Sequence, residues 1–134
     1  MKLCVRTLPI FCVLALGMFA PAAMAGPGPL PSGQEVSFFD QVAETQNDGE
    51  TWLILRYLAP RIAREGGDLS YADVSEDLDL LCDIDGIKTA KELGGIDQIV
   101  ITLMDRPMER GASDPDATMF IGAYLPGEEG CIWQ

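Results

Sequence analysis

The chain has 134 residues, with 21 Asp and Glu against 9 Lys and Arg, so its formal net charge is −12 at pH 7. So acidic a surface repels phosphate backbones and anionic lipid headgroups, which disfavours nucleic-acid binding and peripheral membrane binding. The chain contains no histidine, which removes the commonest general base and the commonest transition-metal ligand.

Residues 1–25 are predicted to be a cleaved signal peptide. Lys2 and Arg6 give a positive start, residues 8–20 form an apolar run, and Ala23-Met24-Ala25 is a small-x-small cleavage site. The apolar run is shorter than the roughly 20 residues that span a bilayer. We therefore expect a periplasmic or secreted protein without membrane attachment after cleavage, and a formal charge of −14 because two positive residues are removed.

The segment "GPGPLPSGQ", residues 26–34, is rich in proline and glycine. This composition predicts an extended, flexible leader that has no packing of its own. Residues 35–134 are then expected to form a single domain.

Two strands are predicted at the start of this domain, in "EVSFFDQVAE" and "TWLILRYLA". Asn47-Asp48-Gly49 between them is a hairpin signal, since Gly49 tolerates positive φ. A two-residue Asp48-Gly49 turn would place Asp40 opposite Tyr57. The second strand is apolar on both sides, which favours a central position in a sheet.

The clearest helix lies in "SYADVSEDLDLLCDIDG". Ser70 is predicted to cap its first turn, and Asp73 to complete a capping box. At about 100° per residue, one narrow stripe of the helix carries Tyr71, Val74, Leu78, Leu81 and Cys82. This stripe is predicted to face the core. The acidic residues of the helix lie mostly off this stripe.

Two further strands are predicted in "DQIVITLMDRP" and "TMFIGAYLPG", and Gly122 is expected to mark a bulge or a close backbone approach. A short strand follows at the C-terminal end. The predicted fold is α+β: a four- to five-stranded, mainly antiparallel sheet in β-β-α-β-β order, packed against one main helix and carrying one disulfide.

Removal of the signal peptide would leave two cysteines, Cys82 and Cys131. In an exported chain, two such cysteines are most simply a structural disulfide; a redox-active pair and an intermolecular bridge are the alternatives. Redox centres usually hold their cysteines two residues apart at a helix start, unlike these. Because strand side chains alternate, the bridge would carry Trp133 toward the helix and sheet together with Cys131.

The stretches "YLAPRIAREGG", "LLC", "TLMDRP", "FIGAY" and "GCIWQ" follow one another in an order that resembles a family of small uncharacterised exported bacterial proteins, a domain of unknown function. The resemblance implies an exported one-domain protein with a helix cysteine and a terminal cysteine. It implies no activity or catalytic residue. Relatives are sometimes labelled acetolactate synthase, a label that this sequence does not support because the chain is far too short for a thiamine-diphosphate enzyme.

Three groups of acidic residues are candidate chemical sites. Residues 81–92 fit a calcium-loop template only in part, since Leu81 stands where the first carboxylate ligand is needed. Asp114 with Asp116, and Glu128 with Glu129, offer paired carboxylates of the kind that hydrolases use. Asp40 interrupts an apolar strand face, either as a buried carboxylate partnered by Tyr57 or an arginine, or as an edge charge that discourages sheet pairing.

Leu80 and Ile84 lie opposite the core stripe, either as a docking patch or beneath a connector that uses Ile87, Leu93 or Ile96. We expect no catalytic residue, cofactor-binding residue or metal ligand. The sequence thus favours a small exported, non-catalytic binding or accessory protein of the cell envelope, with an envelope protein as partner. The alternatives are a carboxylate-based hydrolase and a small-ligand binder that uses a cavity between helix and sheet.

Overall fold

A computed structural model describes residues 29–134; the predicted signal peptide and residues 26–28 of the leader lie outside the described residues. Five strands form one sheet in the order β1-β2-β3-β4-β5. The strands are Ser37–Thr45 (β1), Thr51–Leu58 (β2), Gln98–Met104 (β3), Met119–Pro126 (β4) and Cys131–Trp133 (β5). The helical segments are a 3₁₀ turn at Pro60–Ile62, α1 at Tyr71–Leu81, a π-helical turn at Cys82–Gly86 and α2 at Ile87–Leu93.

The α+β prediction is confirmed, with the helices between β2 and β3. These two strands are parallel, whereas the other neighbouring pairs are antiparallel. A parallel pair needs a long crossover, and here the crossover carries the helices that cover one face of the sheet. The core between helices and sheet contains Leu53, Leu55, Tyr57, Val74, Leu78, Leu81, Ile99, Ile101 and Leu103, all at most 1 % exposed.

The β1–β2 hairpin differs from the predicted register by one residue. Gln46 N–H donates to Glu50 C=O (2.7 Å), which leaves three residues in the loop, with Gly49 at φ +90°. Asp40 therefore pairs with Arg56 and not with Tyr57. The Asn47-Asp48-Gly49 signal fits both two- and three-residue loops, since each needs a left-handed residue near its end.

Helix α1 begins as predicted, because Ser70 and Asp73 form a complete capping box. Four of the five stripe residues are buried, but Tyr71 is exposed and packs edge-to-face on Phe120, with ring centroids 5.5 Å apart. The helix does not end at Gly86, the last residue of the predicted segment. The helical path continues through the π-helical turn into α2, and Gly94 follows its last residue.

Residues 30–34 differ from the flexible leader expected there. Leu30 is buried in the core, and Gln34 is fully buried. The buried Asp77 carboxylate accepts hydrogen bonds from Ser32 N–H (2.9 Å), Ser32 Oγ (2.5 Å) and Gln34 Nε2 (2.7 Å). Composition suggested mobility, but three donors converge on one buried anion and dock this segment on α1.

Cys82 and Cys131 form a disulfide that joins the π-helical turn to β5, with their Cα atoms 6.0 Å apart. Asp83 Oδ1 accepts a hydrogen bond from Cys131 N–H (2.8 Å) beside the bridge. Trp133 pairs with Tyr124, but its side chain is 70 % exposed. Trp133 shares the helix side of β5 with Cys131, as strand alternation predicts, but it is left largely uncovered because β5 is the edge strand.

Gly122 is explained by a side chain and not by a bulge. Tyr124, two residues further along the same face of β4, lies over Gly122 and donates its hydroxyl to Asp79 Oδ1 (2.6 Å). A Cβ atom at position 122 would lie 2.7 Å from the Tyr124 hydroxyl oxygen and 2.8 Å from Cε2. The absence of a side chain is what allows the tyrosine to reach the helix.

We expect Gly122→Ala to lower the free energy of unfolding by about 1–3 kcal/mol, the usual cost of overpacking a well-packed site. Urea unfolding checks the value. In a Tyr124→Leu background, which removes the ring that clashes, the same substitution should cost much less. An equal cost in both backgrounds would contradict this interpretation.

Candidate binding face

The second face of the sheet, opposite the helices, is the candidate functional surface, here called the open face. Strand alternation assigns to this face Ile54 and Arg56 of β2, Val100, Thr102 and Met104 of β3, Met119, Ile121 and Leu125 of β4, and Ile132 of β5. Four of these side chains are widely exposed: Met119 (41 %), Ile121 (51 %), Leu125 (42 %) and Ile132 (56 %). We call these four residues the β4–β5 patch.

Arg56 is buried on the open face and organises its β1 side. Its Nε donates to Asp40 Oδ1 (2.6 Å), and its Nη2 donates to the other oxygen of the same carboxylate. Its Nη1 donates to the carbonyl oxygen of Met108 (2.7 Å), and its guanidinium lies 5.1 Å from the Phe39 ring centroid. Arg56 therefore ties the loop between β3 and β4 to the sheet.

This β3–β4 loop covers only part of the open face. Arg110 in the loop forms an ion pair with Glu44 of β1, which holds the loop over β1, β2 and β3. A cleft of about 230 Å³ remains beneath it, lined mainly by Ile54, Val100, Thr102, Met108, Ala112 and Ile121. Met119 and Ile121 also border this cleft, and all four residues of the β4–β5 patch remain widely exposed.

Asp40 matches neither of its two predicted roles fully. Its side chain is 40 % exposed, so it is not a buried carboxylate, yet it makes a bidentate ion pair with a buried arginine. The hydrogen bond from Arg56 holds the pKa of the Asp40 carboxyl below its usual value of 3.8, against a smaller opposing effect of burial. Tyr57, the other predicted partner, donates to Asp85 Oδ2 (2.7 Å).

The ion pair predicts a pH dependence of stability. Because the folded-state pKa of Asp40 is lowered, its stabilisation is present above about pH 3.8 and is lost as the pH falls through the lowered folded value. We expect Asp40→Asn to be less stable than wild type at neutral pH, and this difference to vanish in strong acid. Urea unfolding at pH 7 and at pH 2 measures both differences, and an equal difference at the two values would contradict the assignment.

Three acidic residues of the helical segments accept hydrogen bonds from residues of the sheet. Asp79 accepts from Tyr124, Asp83 from the backbone of Cys131, and Asp85 from Tyr57. Burial first, and then the neighbouring carboxylate, raises the pKa of Tyr57 and of Tyr124 far above 10. Both hydroxyls are therefore neutral donors, and these acids fix the helices on the sheet.

The calcium-template segment, residues 81–92, is helical in this structure, and two of its template carboxylates, Asp83 and Asp85, accept the hydrogen bonds just described. Over residues 29–134, no group of three or more acidic or cysteine side chains has a metal-binding arrangement. The segment is therefore a helix whose carboxylates accept structural hydrogen bonds, whereas the template describes a loop whose carboxylates bind calcium.

The paired carboxylates fall in two loops. Asp114 contacts Arg106 (3.6 Å) and accepts from the backbone N–H of Asp116 (2.9 Å) in the β3–β4 loop. Glu128 and Glu129 are exposed in the β4–β5 turn, where they line a shallow depression together with Asp83 and Ile132. One pair thus supports a turn, and the other lies beside the β4–β5 patch.

Leu80 and Ile84 have different surroundings. Leu80 is half-buried and packs against the core, as Ile87 and Ile96 do. Ile84 is 45 % exposed, and Leu93 is exposed as well. The two residues therefore do not form one apolar patch.

Sequence reasoning missed the β4–β5 patch. Its signal is present in "MFIGAYL", where Phe120 and Tyr124 face the helices while Met119, Ile121 and Leu125 face the other way. A strand that is apolar on both faces is expected to be covered on both sides, as in parallel sheets with two helical layers. Here the described helices cover one side only.

Within residues 29–134, none of the helices is long and apolar enough to span a membrane. The model of a family described as "Family of unknown function (DUF6497)" matches residues 13–134. No match was found among curated proteins or among solved structures.

Proposed function

We propose that this chain, which belongs to that family of unknown function, is a small exported, non-catalytic binding or accessory protein of the cell envelope. The observation that carries the proposal is the β4–β5 patch, four exposed apolar side chains on neighbouring strands of one sheet face. Contiguous exposed apolar surface is typical of a protein–protein interaction site. The partner proposed for this patch is another protein of the envelope.

Two features support export. Residues 1–25 have the charge, apolar run and cleavage pattern of a signal peptide. The chain also holds a disulfide between an interior cysteine and one near the C-terminal end, and such bonds persist in oxidising compartments such as the periplasm.

The non-catalytic role is supported by the engagement of the polar groups near the sheet. Tyr57, Tyr124 and Arg56 are bonded to Asp85, Asp79 and Asp40. These side chains already have hydrogen-bond partners within the protein, so their polar atoms are engaged in holding the fold and not in binding a substrate. The small-ligand alternative placed its cavity between helix and sheet, where an open depression of about 260 Å³ lies between α2 and the end of β4. The cleft described above lies on the opposite side, beneath the β3–β4 loop.

The proposal predicts that Ile121→Ser strongly reduces capture of an envelope partner. A photo-reactive side chain placed at Leu125 should crosslink to this partner, and Ile121→Ser should reduce the yield of the adduct about tenfold, because central apolar contacts dominate interface energetics. Ile84→Ser is the matched control, since Ile84 is exposed to a similar extent on the helical side. Equal adduct yields for both variants, at unchanged thermal stability, would remove the basis of the proposal.

A further inference from the structure

We infer that the occupant of the β4–β5 patch is an amphipathic helix of another protein, with an apolar stripe flanked by Lys and Arg. The inference rests on the proposed function, because it names the chemistry of the partner for the same patch. It is argued from the length of the patch, the strand at its edge and the charges around it.

The dimensions of the patch fit a helix. Met119, Ile121 and Leu125 lie on one face of β4, and the six residue-to-residue steps from Met119 to Leu125 span about 20 Å at roughly 3.3 Å per step. An α-helix of about 13 residues has the same length. Ile132 lies beside Leu125 on β5 and widens the patch.

Helix docking also completes the architecture. A sheet buries an apolar face against another layer, and the described helices cover only one face of this one. Strand addition is the other common way in which a sheet binds a peptide. The edge next to the patch is β5, which has three residues and so offers few backbone groups for pairing.

The charges around the patch indicate which residues should flank the apolar stripe of the partner helix. Glu128 and Glu129 are exposed in the turn that borders Ile132. Three arginines on or near the open face, Arg56, Arg106 and Arg110, are already paired with carboxylates of this chain. The acidic rim is therefore complementary to a basic partner, and a second copy of this chain, with its formal charge of −12, is repelled.

Model peptides test the inference. The probe is a 14-residue helix with a leucine stripe and lysine elsewhere; its controls are the same stripe with glutamate and a scramble of the lysine peptide that breaks the stripe. Titration of the isotope-labelled mature protein, followed by backbone NMR, should show shifts centred on Met119, Ile121, Leu125 and Ile132 with the lysine peptide. The glutamate peptide and the scramble should bind at least tenfold more weakly.

Variants of the protein separate the two contributions. Ile121→Ser should weaken the lysine peptide at least tenfold, whereas Ile84→Ser, which lies between Asp83 and Asp85, should leave binding unchanged. Glu128→Gln with Glu129→Gln should weaken it about fivefold and reduce its dependence on salt. These results together support the inference.

Four outcomes would overturn the inference: equal binding of the glutamate peptide, equal binding of the scramble, shifts centred on α1, or self-association through the patch in sedimentation. Loss of partner crosslinking in Ile121→Ser, without lysine-peptide binding at the patch, would leave the proposed function standing while this inference fails. Crosslinking that is insensitive to Ile121→Ser would remove both.

Discussion

Replacement of Cys131 with serine is expected to lower the free energy of unfolding by about 4 kcal/mol. The disulfide closes a sequence separation of 49 residues, and the chain-entropy relation gives this value for a loop of that length. Folded domains are typically stable by roughly 5–15 kcal/mol, so the bond supplies a large share of the total. The loss is expected because β5 contributes only three residues of pairing on its own.

Urea unfolding under oxidising conditions measures this loss, and the wild-type protein treated with a reductant is its control. The reduced wild type and Cys131→Ser should unfold at the same urea concentration, because both lack the cross-link while the sheet is otherwise intact. Hydrogen exchange should show the amides of β5 exchanging faster in both. A Cys131→Ser variant within about 1 kcal/mol of the oxidised wild type would show that β5 is held by other contacts.

The second large effect is expected at Asp77, where alanine should cost about 3 kcal/mol. The buried carboxylate accepts three hydrogen bonds from Ser32 and Gln34. Hydrogen bonds to charged groups contribute roughly 1.5–3 kcal/mol each, and the loss is smaller than their sum because water replaces the acceptor for donors of the released segment. With alanine at position 77, the donors of Ser32 and Gln34 lose their hydrogen-bond acceptor. The segment 30–34 should then detach from α1 and expose Leu30.

Hydrogen exchange and unfolding together check this prediction. The amide of Ser32 should lose its protection in Asp77→Ala, and the free energy of unfolding should fall. Glu76→Ala is the matched control, because Glu76 precedes Asp77 on the same helix but is exposed, and substitutions at exposed positions are usually within about 0.5 kcal/mol of wild type. Retained protection of Ser32 in Asp77→Ala would contradict the docking role.

Local chemistry accounts for the parts of the fold that the sequence predicted. Ser70 and Asp73 define the start of α1 because a capping box is made by residues three apart. Ile99, Ile101 and Leu103 alternate along the predicted strand "DQIVITLMDRP", which favours one shared buried face, and all three are fully buried. These signals depend on near neighbours in the chain.

The parts that were missed depend on contacts between distant residues. The composition of "GPGPLPSGQ" does not show that Ser32 and Gln34 donate hydrogen bonds to Asp77, which is more than 40 residues away in sequence. The hairpin register follows from a choice between two loops that the same three residues allow. The arginine partner of Asp40 follows from that register, so the sequence placed Asp40 opposite Tyr57.

The candidate site was missed for a related reason. Apolar residues in β4 indicate burial, and the sequence alone does not tell which of the two faces the helices cover. Once the helices lie against Phe120 and Tyr124, Met119, Ile121 and Leu125 are left on the other side. The patch is therefore a consequence of a fold with one helical layer, and no local motif marks it.

The position of the β3–β4 loop has a consequence for proteolysis. Residues 105–118 are largely exposed and lie between Cys82 and Cys131 in the sequence. A protease that cleaves one peptide bond there produces two fragments that remain covalently joined, and Arg56 still holds the carbonyl of Met108 on the sheet. The nicked molecule runs as one species on a non-reducing gel and as two on a reducing gel.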